Sequence, residues 1–432
     1  MKPNFIPPTA VVVRAFTVSV CLLGLGTLAD ESQRSSFKFD FGPGKVAPGY
    51  TQVLPKDIYR PEIGFGFEPG PALRAMDNGE DALRGDFVTS DKPFCFSVAV
   101  PDGNYKVTVT LAGPDDGSAT TIKAELRRLM LEKVRVAKGE FATRAFTVNV
   151  RTPKIAGGGA VSLKPRERTS EFRAWDEKLT LEFNGSRPCL CALEITRADD
   201  LPTVYLLGDS TVCDQPLEPW NSWGQMLPRF LTADVVVANH AESGETIKGS
   251  LGARRFDKVF STMKTGDYLF LQFGHNDMKD QAPDALATYR SNLKRLVAET
   301  RRKGGTPVLI TSVERKNGVE QTTLGNYPAT VREVAAEEKT ALIDLNAMSR
   351  DFYKALGPEK LGLAFQDGTH HNNYGSYELA QCVVQGIKSS NLDLAKFIVD
   401  DFKGFNPAHP DPVENFTLPP SPGAPGAQPL GN

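Results

Sequence analysis

Thr203-Val-Tyr-Leu-Leu-Gly-Asp-Ser-Thr211 decides the fold. An apolar run breaks at Gly208 and is followed at once by a carboxylate and two hydroxyls. A strand apolar at every position is buried on both faces, which points to a parallel sheet covered by helices. Four more mainly apolar runs follow: Asp234-Val-Val-Val-Ala238, Tyr268-Leu-Phe-Leu271, Pro307-Val-Leu-Ile310 and Ala341-Leu-Ile-Asp-Leu345. Helical spacing separates them. Tyr289, Leu293, Leu296, Val297 and Thr300 share one face, and Gly304-Gly305 ends that helix. Val331, Val334, Ala335 and Glu338 suggest another, and Tyr377 to Ile387 a last one. Strands alternating with helices give an α/β domain over 203–402 with helices on both sides of its sheet.

Upstream the period changes to two. Phe37-Lys-Phe-Asp-Phe41, Phe94-Cys-Phe-Ser-Val98, Tyr105 to Leu111, Phe146-Thr-Val-Asn-Val150 and Leu179-Thr-Leu-Glu-Phe183 all alternate. Turn signals such as Asp102-Gly-Asn104 and Asn184-Gly185 divide them. Many short alternating strands predict an all-β sandwich over 37–198. At the N-terminus, Lys2 and Arg14 precede an uncharged apolar run, Ala15 to Leu28, and Thr27-Leu-Ala29 offers small residues to a signal peptidase. Residues 1–29 are expected to be an export signal, giving a secreted or periplasmic protein. The run is too short to span a bilayer, so no membrane association is expected once the signal is removed. At the other end, 406–432 is rich in Pro and Gly and is expected to be disordered.

The 432 residues carry a formal charge of −2, with 40% hydrophobic and 24% charged residues. That excludes a mostly disordered chain and argues against a nucleic-acid partner, which needs a basic face. Six cysteines, one inside the signal, do not describe a disulfide framework. Five histidines lack metal-ligand spacing, and adjacent His370-His371 suit one ion poorly, so neither a metal nor another cofactor is expected.

The chemistry gathers where the strands end. Gly208-Asp-Ser-Thr211 follows the first apolar strand, Asn239-His-Ala-Glu-Ser-Gly244 the second, and Phe273-Gly-His-Asn-Asp277 the third. Asp367-Gly-Thr-His370 lies in a late loop. In a doubly wound sheet such points meet at one edge. Ser210 is a poor nucleophile until a base takes its proton. His370 can be that base, and Asp367, three residues earlier, can hold its tautomer. A tetrahedral oxyanion needs fixed donors, for which the Ser210 N–H, the Gly244 N–H and the Asn276 amide are candidates. Trp220, Trp223 and His275 are candidate substrate contacts, although both tryptophans suit a core equally well.

These four blocks resemble the GDSL, or SGNH, hydrolase superfamily. The resemblance implies a flavodoxin-like three-layer α/β/α domain and a Ser-His-Asp esterase. More narrowly, Gly208-Asp-Ser-Thr-Val212, Trp223-Gly-Gln-Met-Leu-Pro228, Gln272-Phe-Gly-His-Asn-Asp277, Thr323-Leu-Gly-Asn-Tyr-Pro328 and Asp367 through Gly375 are similar to the rhamnogalacturonan acetylesterases of pectin degradation. Phe39-Asp-Phe-Gly-Pro-Gly44 with Pro48-Gly-Tyr50 resembles the galactose-binding-like sandwich fused ahead of such enzymes. The implied partner is an acetylated pectic polysaccharide or oligosaccharide. Acetylated xylan, another small acyl ester, or sugar binding by a degenerate hydrolase are the alternatives. One departure stands out: Glu245 follows Gly244 where relatives often carry a basic residue, which bears on how an anionic galacturonate chain would be met.

Overall fold

The computed structural model describes residues 1, 36–77, 79 and 81–423. The export signal expected over 1–29 lies, but for Met1, outside the described residues.

Twelve strands form the N-terminal domain: β1 (Ser36–Phe41), β2 (Thr51–Val53), β3 (Phe65–Phe67), β4 (Arg74–Asp77), β5 (Asp86–Thr89), β6 (Phe94–Ala99), β7 (Gly103–Ala112), β8 (Ser118–Ala124), β9 (Arg128–Val136), β10 (Phe141–Val150), β11 (Lys178–Ser186) and β12 (Cys189–Arg197). One sheet runs β10-β7-β12-β1-β2, with β5 beside β12 and β4 beside β5; the other runs β3-β6-β11-β8-β9. Alternation places Phe39, Phe41, Phe67, Phe94 and Phe96 in the core between them. Their rings meet edge-on or tilted, as aromatic quadrupoles prefer.

The parallel sheet contains β13 (Thr203–Gly208), β14 (Val236–Asn239), β15 (Tyr268–Gln272), β16 (Thr306–Ile310) and β17 (Ala341–Ile343) in the order β14-β13-β15-β16-β17. The helices are α1 (Trp223–Met226), α2 (Ile247–Gly252), α3 (Arg255–Thr262), α4 (Ala285–Arg302), α5 (Tyr327–Glu337), α6 (Leu345–Lys360) and α7 (Asn373–Ser389). Val204 and Leu206 face a core with α1, α6 and α7, while Tyr205 and Leu207 face one with α3, α4 and α5. This is the expected three-layer α/β/α domain. The strand order reverses between β13 and β15, and the crevice at their carboxyl ends is where such sheets bind ligands.

The two domains share buried contacts. Arg128 Nε donates to Asp214 Oδ2 at 2.7 Å, Asn104 Nδ2 to Thr203 Oγ1 at 2.9 Å, and Thr147 Oγ1 to the Val235 carbonyl at 2.6 Å. The five cysteines from Cys95 to Cys382 are free thiols, four of them buried. The disorder expected over 406–432 is corrected for 406–423. Val413, Phe416 and Leu418 pack on the hydrolase core. Further along, the Pro419 and Pro420 carbonyls accept from Lys123 and Asn184 of the sandwich at 2.8 and 2.9 Å. A Pro-rich segment cannot build a core, but its carbonyls can dock on one already formed.

Candidate active site

The serine stands on a tight turn. β13 ends at Gly208, and Val212 N and Cys213 N both donate to the Asp209 carbonyl at 3.0 Å. A Cβ at Gly208 would fall 2.6 Å from both the Gln272 carbonyl and Val212 Cγ2, so only glycine fits where strand meets turn. Asp209 turns inward. Its Oδ1 accepts from Thr211 N and Oγ1 at 3.0 and 2.8 Å, and its Oδ2 meets His275 Nδ1 at 3.1 Å. Burial alone would raise the Asp209 carboxyl, but the His275 and Thr211 contacts outweigh it and hold it below its usual range.

Three predicted residues form one chain of hydrogen bonds. His370 Nε2 lies 2.7 Å from Ser210 Oγ, and His370 Nδ1 lies 2.8 Å from Asp367 Oδ2. Asp367 Oδ1 accepts the backbone N–H of Thr369 at 2.7 Å and of His370 at 2.6 Å. The three-residue spacing lets the carboxylate grip the loop and the ring together. Burial opposes ionisation of Asp367, yet bonds from the His370 ring and these N–H groups hold its carboxyl well below the usual range. Ser210 and His370 are 2% and 1% exposed. His371 points away: its Nε2 meets Tyr353 Oη at 2.8 Å, and its ring packs 4.2 Å from that of Phe365.

The three candidate donors share one neighbourhood. The loop after β14 is tied to the serine turn by Glu242 N donating to the Gly208 carbonyl at 3.2 Å. Gln215 Nε2 reaches the Ser210 carbonyl at 2.8 Å and Ser243 Oγ at 3.4 Å. Gly244 holds φ +73°, in the left-handed region that favours glycine. Asn276 Nδ2 donates to the Glu245 carbonyl at 3.1 Å. It makes no capping bond to the short helical turn after it, so its side chain serves this loop. Asp277 Oδ1 accepts Ile247 N at 2.9 Å, fixing the loop's far end at the start of α2.

Two candidate substrate contacts are corrected. Trp223 is 1% exposed and sits in the hydrolase core, with its Nε1 donating to Gln272 Oε1 at 2.8 Å. His275 is buried, and both ring nitrogens already face protein acceptors, Asp209 Oδ2 and the Val313 carbonyl. Trp220 differs. It is half-buried, and its ring stands edge-on to that of His370 at 5.8 Å. Arg127 Nη1 of the sandwich holds its loop by donating to the Gln215 and Trp220 carbonyls at 3.1 and 3.0 Å. Glu245 is buried too. Lys164 Nζ pairs with its Oε1 at 2.7 Å and Ser250 Oγ donates to its Oε2 at 2.7 Å, so this carboxylate is neutralised inside the protein. Lys164 and Arg127 escape sequence reasoning: Lys164 lies 79 residues from Ser243, whose carbonyl it touches, and no motif joins them.

Residues 206–376 match the GDSL-like lipase/acylhydrolase family, and 37–150 match the galactose-binding-like domain of β-agarase and YXIM-type esterases. The uncharacterized esterase YxiM of Bacillus subtilis (strain 168) is 30% identical over 382 residues, covering 82% of this chain and 91% of that protein. The rhamnogalacturonan acetylesterase RhgT of the same organism is 34% identical, covering 45% of this chain and 94% of that protein. Its probable rhamnogalacturonan acetylesterase YesY is also 34% identical, covering 46% and 98%.

Proposed function

This chain belongs to the GDSL-like lipase/acylhydrolase family, and from that premise we propose that it is a secreted esterase removing O-acetyl groups from acetylated rhamnogalacturonan. The observation that carries the acyl-transfer reading is the unbroken chain from Ser210 Oγ through His370 to Asp367. His370 Nε2 takes the hydroxyl proton as Ser210 Oγ attacks the acetyl carbonyl carbon. The N–H groups of Ser210 and Gly244 and the Asn276 amide receive the charge that develops on the carbonyl oxygen. As the tetrahedral intermediate collapses, His370 returns the proton to the departing sugar oxygen, leaving acetyl on Ser210. A water then attacks the acetyl-enzyme with His370 as base, and His370 returns that proton to Ser210 Oγ as acetate leaves.

Two relatives named as rhamnogalacturonan acetylesterases, one of them as probable, support the choice of substrate. The neutralised Glu245 removes the obstacle that its charge posed to a galacturonate chain. Trp220 offers a partly exposed ring beside His370 for a sugar face. Acetate release from acetylated rhamnogalacturonan and from acetylated xylan is the deciding measurement. The pectic substrate is expected to be hydrolysed at least tenfold faster in kcat/KM, and a preference for xylan would overturn the assignment. Ser210→Ala is expected to remove activity on both while leaving the folded state intact.

A further inference from the structure

The Ser243 carbonyl and the Gly244 N–H belong to one planar peptide group, so whatever orients the first aims the second. Lys164 Nζ donates to the Ser243 carbonyl at 2.6 Å. The lysine does not come from the hydrolase domain. It lies in the connection between β10 and β11 of the sandwich. We infer that Lys164 is a positioning residue for ester hydrolysis: its ammonium fixes and polarises the 243–244 peptide so that Gly244 N–H is aimed at the developing oxyanion. This rests on the acyl-transfer reading above.

The support is built into both sides of the peptide. Lys164 N donates to Glu167 Oε2 at 2.7 Å, and the buried Glu167 makes a two-pronged pair with the buried Arg255 at 2.9 and 2.6 Å. Ser162 N donates to the Ala253 carbonyl at 2.9 Å, pinning the connection to the hydrolase just upstream. Arg166 Nε lies 3.2 Å from Glu242 Oε1, and Lys164 Nζ lies 2.7 Å from Glu245 Oε1. The sandwich connection therefore grips residues 242, 243 and 245. The intervening Gly244 directs its N–H to no protein acceptor among the described residues. A charge-assisted bond to a carbonyl is about twice as strong as a neutral one. In a chain of hydrogen bonds it also strengthens the donor at the other end of the amide, by roughly 10–30% in condensed phase.

The test is Lys164→Ala in the full chain, read by kcat and KM on 4-nitrophenyl acetate with circular dichroism as the fold check. One oxyanion donor is worth about 10²–10³ in kcat, so misaiming it is expected to lower kcat by about 10–100-fold. KM is expected to stay within about threefold, because the uncharged ground-state carbonyl uses the donor less. Added ethylammonium, which carries N–H donors and is small enough for the truncated site, is expected to restore at least fivefold of the lost kcat. Tetramethylammonium has the same charge and no N–H, and is expected to restore none. Unchanged kcat, or equal rescue by both cations, would overturn the inference. If the alanine variant does not fold, Lys164→Met, uncharged and without an N–H donor, carries the comparison of kcat and KM, and an unchanged kcat there would overturn the inference equally. Failure of the esterase reading itself is distinct: the wild type would then lack ester hydrolysis that Ser210→Ala removes.

Discussion

His370 and His371 differ by one position and by almost everything else. His370 joins Ser210 and Asp367; His371 is enclosed by Tyr353 and Phe365. The Tyr353 hydroxyl donates to the Glu314 carbonyl at 3.0 Å, so it accepts from His371, and the neutral ring carries its proton on Nε2. Burial first, then the neighbouring His370 and His275, lower the His371 pKa from 6.5 to about 3. As pH falls below 6.5, the unfolded chain takes a proton at this ring while the folded chain does not. The stability His371 contributes is therefore complete above about 6.5 and lost as pH falls towards about 3. His371→Phe, which keeps the ring packing, is expected to lose less stability than wild type between pH 7 and 4.5 in urea unfolding. Equal losses would contradict the assignment. Its kcat should stay within about tenfold of wild type, while His370→Ala should fall by about 10⁴-fold or more. A larger kcat loss in the His371 variant, with both folded, would reverse the roles.

At the scale of elements, legibility in the sequence followed burial. The five mainly apolar runs became β13 to β17, and the five helically spaced residues from Tyr289 to Thr300 are the buried side of α4. Ser210, Asp367 and His370 were legible because each lies beside a strand end or a turn residue with its own signature. Strands β8 and β9 were not. They carry Lys123 and Arg128, which read as surface charges yet are buried against Glu182 and Asp214. Trp223 failed for the reverse reason: a large ring near the serine reads as a contact, but its indole N–H found Gln272 in the core. The loop between β14 and α2 supplies the next prediction. Burial raises the Asp277 carboxyl to about 7, although the Ile247 N–H at the start of α2 pulls the other way. A raised carboxyl contributes stability that is complete below its unfolded pKa of about 3.9 and lost as pH rises through its folded value. Asp277→Asn keeps the oxygen for Ile247 N and never ionises. Its Tm relative to wild type should therefore rise from pH 5 to pH 8, and a falling difference would show that the ionised form is the one the fold favours.

Across the whole molecule, the sandwich is part of the machinery that shapes the serine site. Arg127 holds the Trp220 loop, Arg128 neutralises buried Asp214, and Lys164 reaches the peptide before Gly244. Residues 200–423 expressed without the sandwich would leave Asp214 without Arg128 and Glu245 without Lys164. A buried charge that loses its partner costs about 3–5 kcal/mol. That fragment should be far less stable than the full chain and at least tenfold less active on 4-nitrophenyl acetate; full activity would limit the sandwich to a passive role. The tail closes the assembly from the other end. Lys123 is buried, and its ammonium donates to the Pro419 carbonyl and to Ser421 Oγ, both at 2.8 Å. Glu182 and Glu218 stand further off, at 3.7 and 3.9 Å. Burial lowers the Lys123 pKa while Glu182 and Glu218 pull it back up, and the two tail acceptors take its hydrogen bonds. Ending the chain after Thr417 strips them away and leaves two buried N–H donors unmatched, at about 1–3 kcal/mol each. The truncated protein should melt several degrees lower. Lys123→Met should then cost less in the truncated chain than in the full one, because the partners it would forfeit are already gone. Equal costs in the two backgrounds would mean that the tail lies against the sandwich without holding this lysine.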